Sequence, residues 1–265
     1  MDLHDYDDIA ENYDLYTNSM FGNNSKLGDS ATINFHLELA KKYGHGDILD
    51  IACGTGLTAI PLAKNNFSVT AIDISQPMIN KLNEKAKSEN IKINSVCSNM
   101  CDFKLKQNFS FAFIARAGFM HLLTNEDQKN SLKNIHDHLL PKGILSLNTF
   151  YPHHEVLSRS MKSDIEDYSL RVEYSNCKGN IEKIYNSNAY DPETQIMTGQ
   201  WKFEEYQNGE IINSRVRPLK IRMSFKYEMI NLLELTGFRI IDVYGNYGFD
   251  PAKYPGWLVW IVEKV

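Results

Sequence analysis

The sequence of 265 residues predicts an α/β fold: a parallel five-strand core, an antiparallel C-terminal hairpin at its edge, and an inserted antiparallel β-sheet. Three observations predict it. Strand-like and helix-like segments alternate from Lys42 to Phe150, the pattern of βαβ units. The first of those strands runs into a Gly-rich turn in Ile48–Gly56, I-L-D-I-A-C-G-T-G. From Asn180 to Arg222 the chain changes to long segments of period two, separated by turn signals.

Each element has its own warrant. Ile48–Ala52 is a short apolar run bounded by glycine and reads as a strand. Leu57–Lys64 reads as a helix, with Pro61 tolerated where the first N–H groups lack intrahelical partners. Ser68–Ile74 is the second strand. Ser75-Gln76-Pro77 is a helix start, and that helix buries Met78, Ile79, Leu82 and Ala86. Ile91–Cys97 and Ser110–Ala115 are the third and fourth strands. Thr124 or Asn125 caps a helix with Leu132, Ile135 and Leu139 on one face. Leu140-Pro141-Lys142-Gly143 stops it, and Ile144–Phe150 is the fifth strand.

Three further strands between Asn180 and Arg222 turn at Asp191-Pro192-Glu193 and at Gln207-Asn208-Gly209-Glu210, the latter an Asn-Gly hairpin signal. Phe225–Leu235 reads as a helix ending on Gly237. Phe238–Tyr244 and Trp257–Val262 have no crossover helix between them, so they pair antiparallel.

Composition narrows the function classes. The net charge is −5 and no Lys/Arg cluster forms a basic face, which argues against a nucleic-acid partner. No apolar run reaches the roughly 20 residues of a membrane span. The N-terminus, Met1 to Asp5, is acidic where a secretory signal is basic and then apolar, so a cytoplasmic location is expected. Cys97 and Cys101 form C-x-x-x-C without a second pair to complete a zinc set, and no metal is expected. Reduced thiols are the expectation for all four cysteines. Monomer and homodimer both remain open.

The Gly-rich turn carries chemistry. Gly54 and Gly56 lie between a strand and a helix, where glycine permits a tight turn and close approach of a ligand to the backbone. Asp73 ends the neighbouring strand about 20 residues on, where an acid can accept both hydroxyls of a ribose. A ribose-bearing cofactor follows. On these facts alone a nicotinamide cofactor fits as well, because Gly54–Ala59 satisfies G-x-G-x-x-G/A.

The wider pattern resembles the class I S-adenosylmethionine-dependent methyltransferases, whose sheet is Rossmann-like. Asp50, Ala52 and C-G-T-G resemble their first motif, Asp73-Ile74-Ser75 their second, and Leu139-Leu140-Pro141-Lys142-Gly143 the turn before their fifth strand. Tyr6-Asp7-Asp8-Ile9-Ala10-Glu11-Asn12-Tyr13-Asp14 is similar to the opening of bacterial small-molecule members. Phe119-Met120-His121-Leu122-Leu123 resembles the segment after the fourth strand of those members, found for example in aminosugar N-methyltransferases, so the chain resembles the aminosugar and glycine-type N-methyltransferases. The resemblance implies an N-terminal helical lid over 1–40, a cofactor-binding core at 41–150 and 225–265, and an insertion at 151–224 covering the substrate site.

Carried over residue by residue, it implies S-adenosyl-L-methionine as cofactor and S-adenosyl-L-homocysteine as product. Asp50, Ala52, Cys53, Gly54 and Gly56 then surround the methionine part. Asp73 holds the ribose, and Ile74 and Met78 pack on the adenine. Asn99, Met100 and Cys101 follow its edge, with Asn99 in place of the family's Asp. Ala115 and Arg116 lie beneath the sulfonium, and Tyr6 and Tyr13 belong to the lid. His121, Tyr13 and Arg116 are the candidate catalytic residues, His121 as base because its ordinary pKa is near 6.5. Ser110 stands where the family has an Asp at the start of the fourth strand.

The expected reaction is in-line methyl transfer to a small organic acceptor, at an amine nitrogen. A small hydroxylated metabolite is the alternative acceptor, and a non-catalytic S-adenosylmethionine-binding regulatory protein the alternative function. Arg215, Arg217 and Arg222 offer partners for a carboxylate or phosphate on that acceptor.

Overall fold

The computed structural model describes residues 6–22, 25–151, 153–161 and 168–265; Met1–Asp5 of the N-terminal segment lie outside them. A single 3₁₀ turn, Asp7–Ile9, precedes α1 (Tyr13–Phe21) and α2 (Asp29–Tyr43). The alternating region then runs β1 (Ile48–Ile51), α3 (Ala59–Lys64), β2 (Val69–Asp73), α4 (Gln76–Ser88), β3 (Asn94–Cys97), β4 (Phe109–Ile114), α5 (Asn125–His138) and β5 (Leu139–Tyr151).

These five strands lie parallel in the order β3-β2-β1-β4-β5. α7 (Lys226–Leu235) leads to β10 (Phe238–Tyr244), and β11 (Gly256–Lys264) inserts antiparallel between β10 and β5. The expected core and edge hairpin are therefore present.

The sheet is buried on both faces, which is why β1 and β4 are mainly apolar rather than alternating, Asp50 and Ser110 being their polar members. Leu49, Ile51, Ala112, Ile114, Leu145 and Trp260 point to one side, under α5 and α7. Ile48, Ala71, Phe111, Phe113, Ile144 and Ile261 point to the other, under α2, α3 and α4. Capping follows the sequence signals. Ser75 Oγ accepts from the Met78 N–H at 3.3 Å, and Thr124 Oγ1 accepts from the Asp127 N–H at 3.0 Å.

Several boundaries shift for identifiable reasons. α3 begins at Ala59 rather than Leu57, because the Gly-rich turn continues through Thr58. β3 starts at Asn94 because the Ile91 N–H bonds back to Ala86 and finishes the helix end. α5 stops at His138, and β5 begins at Leu139 instead of Ile144. Lys142 takes a left-handed φ of 62°, and the pairing of Phe109 with Leu139 and of Phe111 with Ile144 absorbs the turn as a register shift.

The inserted segment forms a separate antiparallel sheet in the order β6-β7-β8-β9. β7 (Ile181–Asp191), β8 (Ile196–Gln207) and β9 (Glu210–Arg222) are the expected three strands, with turns at the expected places. A fourth strand, β6 (Ser169–Ser175), and a short helix, α6 (His154–Ser160), are additional. β6 buries only Val172 and Tyr174, too short an alternation to stand out in the sequence. Among the described residues no helix is long and apolar enough to cross a membrane.

Gly56 occupies the tightest point of this core. Its φ is +80°, and a Cβ there would lie 2.8 Å from Leu82 Cγ and 3.3 Å from Ile60 Cγ1. Gly56→Ala is expected to destabilise the fold by about 1–3 kcal/mol through overpacking and the left-handed backbone. The urea unfolding midpoint checks this; an unchanged midpoint contradicts the packing.

Candidate functional site

The strand order reverses between β1 and β4: the chain steps outward through β2 and β3, then returns to the other side. At such a switch point the loops leave in opposite directions and a crevice opens beyond the strand ends. A cavity of about 410 Å³ lies there. Its floor comes from Ala52, Cys53 and Gly54 after β1, Asp73, Ile74 and Ser75 at the end of β2, and Ser98, Asn99 and Met100 after β3. Ala115, Arg116, Gly118 and His121 extend it from β4. Tyr6, Tyr13, Pro218 and Lys220 enclose the remaining sides.

The Gly-rich turn is held by its neighbour strand. Asp73 Oδ2 accepts from the Gly54 N–H at 2.7 Å, and its Oδ1 from the Ser75 N–H at 2.9 Å. Each oxygen keeps a second lone pair for a ligand. Ala52 and Gly54 have φ of 55° and 53°, and Ala52 packs beside Gly118, where an added Cβ would lie 3.1 Å from Ala52 Cβ. Asp50 is buried at the end of β1. Desolvation first, and the Asp73 carboxylate second, hold its carboxyl well above the usual range. A cationic group entering here relieves both effects.

The N-terminal segment is stitched over this floor by its acids. Asp14 accepts from Thr55 Oγ1 and from Lys85 Nζ, Asp7 from Ser75 Oγ, and Glu11 pairs with Lys81 Nζ at 2.6 Å. On its other side Asp8 pairs with Arg215 at 3.2 Å and Arg217 at 3.8 Å. The Arg217 guanidinium lies 4.7 Å from the Tyr6 ring centroid, and Tyr16 meets Trp201 edge-on at 5.6 Å. One short segment therefore ties the core to the inserted sheet.

His121 sits under Tyr6. Its Nε2 is 3.4 Å from the Tyr6 hydroxyl, and the two rings meet at 86°. Burial, and next the Arg217 charge, push its pKa down to about 4. The imidazole is thus neutral near pH 7 and open to accept a hydrogen bond, but it is a weaker base than its ordinary value promises. Burial also raises the Tyr13 hydroxyl, which remains a phenol.

Of the residues singled out from sequence, Tyr6, Tyr13, Asp50, Ala52, Cys53, Gly54, Asp73, Ile74, Met78, Asn99, Met100, Ala115, Arg116 and His121 line one cavity. Gly56 and Cys101 do not. Gly56 faces Leu82, and Cys101 Sγ donates to the Asp127 carbonyl at 3.5 Å. Asn99 Oδ1 already accepts from the Cys101 N–H at 2.9 Å, which leaves one of its lone pairs for a ligand. Ser110 supports the turn before β1, accepting from the Gly46 N–H at 3.1 Å.

The three arginines expected to meet an acceptor are engaged within the protein instead. Arg215 pairs with Asp8 and Glu182, Arg217 with Asp8, and Arg222 with Glu228 and the Leu123 carbonyl. Pro218 and Lys220, on the same strand, are the residues that reach the cavity wall. Nothing local in the sequence marks them. Among the described residues no group of three or more His, Cys, Asp or Glu is placed to hold a metal ion.

Residues 48–143 match the family model described as a methyltransferase domain. This segment is a methyltransferase domain. It contains β1 to α5 and the floor of the cavity from Asp50 to Leu123.

Curated relatives agree. A ubiquinone biosynthesis O-methyltransferase of Rickettsia canadensis (strain McKiel) is 33% identical over 103 residues, 39% of this chain and 42% of that one. A glycine/sarcosine N-methyltransferase of Aphanothece halophytica is 25% identical over 216 residues, 80% of this chain and 74% of that one. The chain spans less than half the length of the first relatives it matches.

Among solved structures, the sugar N-methyltransferase KedS8 from Streptoalloteichus sp ATCC 53650 superposes with a TM-score of 0.71. It is 13% identical, with coverage of 94% of this chain and 92% of that one. The whole fold around the methyltransferase domain, inserted sheet included, is therefore one that other methyltransferases adopt.

His36, on α2, is fully buried, whereas His121 is half-buried. His36 is packed against Phe113 and pushed down to about 4, chiefly by burial. The unfolded chain protonates both histidines near pH 6.5 and the folded chain only near 4. Their contribution to stability is complete above pH 6.5 and is lost as pH falls through that window. An NMR titration should find the His121 ring neutral down to about pH 5, and replacing His36 by Gln should flatten the fall in urea midpoint between pH 6.5 and 4. A His121 that titrates near 6.5 contradicts the half-buried, Arg217-facing position.

Proposed function

We propose that the protein transfers a methyl group from S-adenosylmethionine to a small organic acceptor, at an amine nitrogen. The observation that carries this reading is the convergence of Asp50, Gly54 and Asp73, within a methyltransferase domain, on one cavity roofed by Tyr6, Tyr13 and β9. The donor set suits that cofactor. Asp73 has lone pairs for two ribose hydroxyls, and the desolvated Asp50 carboxyl sits where an ammonium group or sulfonium is welcome. Ile74, Met78 and Met100 supply apolar surface for a purine. The left-handed turn at Ala52 and Gly54 lets a ligand approach the main chain.

The bound sulfonium supplies an electrophilic methyl group. The chain's own residues align the acceptor, exclude water and take up a proton. Alignment of two reactants in a closed site is worth about 7–11 kcal/mol of a barrier. Tyr6 and Tyr13 close the cavity against water. His121, neutral and beside Tyr6, accepts a hydrogen bond from the acceptor's N–H and so directs the nitrogen lone pair. As positive charge builds on that nitrogen, the proton passes towards Nε2. Its low pKa suits it to orienting the acceptor early and to accepting the proton late, when the nitrogen has become acidic.

An amine is preferred over a hydroxyl because the glycine/sarcosine N-methyltransferase matches along 80% of the chain, whereas the O-methyltransferase match covers 39%. A hydroxyl must also lose its proton earlier in the reaction, which a base with a pKa of about 4 assists poorly. The test is release of S-adenosylhomocysteine across a panel of primary amines, phenols and alcohols, with the native chain and with His121→Ala. Turnover on amines should fall about 10²–10⁴-fold in the variant, while affinity for S-adenosylhomocysteine stays within about threefold, since the base lies off the cofactor contacts. Turnover confined to phenols overturns the acceptor assignment, and unchanged turnover removes His121 from the mechanism.

A further inference from the structure

Arg116 follows β4 directly and has a left-handed φ of 55°, as does Ala117 at 60°. Two consecutive non-glycine residues in that region are strained, each by about 1–3 kcal/mol. The surroundings hold them there. The Tyr247 hydroxyl accepts from the Arg116 N–H at 3.1 Å, and Asn148 Oδ1 accepts from the Ala117 N–H at 2.9 Å. Tyr247 in turn donates to Asn148 Oδ1 at 2.7 Å. The fold thus commits a buried tyrosine and a buried asparagine to this turn.

The guanidinium so placed is incompletely satisfied. Nη2 pairs with Asp29 at the start of α2, the two side chains being 14% and 15% exposed. Nε and Nη1 are closed off from solvent and have no hydrogen-bond partner among the described residues. Buried charged donors left unpaired are costly, and each calls for a partner that the protein itself does not supply. Arg116 lines the cavity beside Ala52 and Gly118, and its charge is felt at Asp50 and Tyr13. Asp50 and Asp73 make the floor acidic. Of the other residues lining the cavity, the one further Lys or Arg side chain is the exposed Lys220, which belongs to the enclosing strand.

We propose that Arg116 is the anchor for the α-carboxylate of S-adenosylmethionine, and that Asp29 is its resting partner. This rests on the methyl-transfer reading and deepens it. A methionine end carries an ammonium and a carboxylate, so the acidic floor attracts the first and repels the second unless a cation stands beside it. Arg116 is that cation. Asp29 holds the guanidinium by one nitrogen and keeps it from standing uncompensated while the cavity is empty. The guanidinium turns from this seat to present its free donors, so the carboxylate and Asp29 compete for it. Arg116 then acts in cofactor binding rather than in the chemical step.

Calorimetric titration of the full chain with S-adenosylmethionine and with decarboxylated S-adenosylmethionine, which lacks only the carboxylate, tests this. Arg116→Met should weaken S-adenosylmethionine roughly 10- to 150-fold and leave the decarboxylated ligand within about threefold. Arg116→Lys should recover part of the loss. Asp29→Asn, which keeps the guanidinium and removes its competitor, should tighten S-adenosylmethionine a few-fold and not the decarboxylated ligand; this variant also serves if Arg116→Met does not fold. Equal loss for both ligands, or no loss for either, overturns the assignment while the methyltransferase reading stands. A native chain that binds neither ligand overturns both.

Discussion

The Asp73 carboxylate ties together the tips of β1 and β2. By accepting the Gly54 and Ser75 N–H groups it fixes the Gly-rich turn against the start of α4. Both bonds are charge-assisted, and each is stronger than a neutral pair. The cavity floor owes its shape to them: Ala52 and Gly54 can hold left-handed backbone because the next residues are pinned. Because the same side chain sits at the open end of β2, it stabilises the turn and lines the cavity at once.

A parallel sheet leaves the C-terminal strand ends open at its switch point, and something else has to cover them. Here two elements distant in sequence do so. The N-terminal segment bears Asp7, Asp8, Glu11 and Asp14, and each finds a partner on α4, the Gly-rich turn or β9. The pairs are partly exposed, so individually they add little stability. Collectively they position Tyr6 and Tyr13 over the cavity.

Much of this was legible in the chain. Val69 to Ile72 and Phe109 to Ile114 announce buried strands by their mainly apolar, non-alternating character, and Asn208-Gly209 announces its hairpin. The methyltransferase domain and its likeness to N-methyltransferases were readable from Asp50, the glycines, Asp73 and the Phe119–Leu122 segment. β6 was not, because only Val172 and Tyr174 mark its buried face. The fates of Arg215, Arg217 and Arg222 were hidden too. A side chain's partner depends on which acids the fold brings near, and Asp8 and Arg215 are far apart in the chain.

By itself the sequence determined the periodicities, the turns and the order of strands, since these arise from interactions among near neighbours and from burial on both faces of a sheet. It also placed Asp50, the glycines and Asp73 at the turns that follow the first two strands. The tertiary structure decided which of those residues share one cavity, that Gly56 packs against Leu82 instead of facing it, and that His121 is desolvated under Tyr6. It alone paired Arg116 with Asp29 and left two guanidinium nitrogens without a partner among the described residues. Desolvation and long-range pairing are properties of the folded surroundings, and no local pattern of residues encodes them.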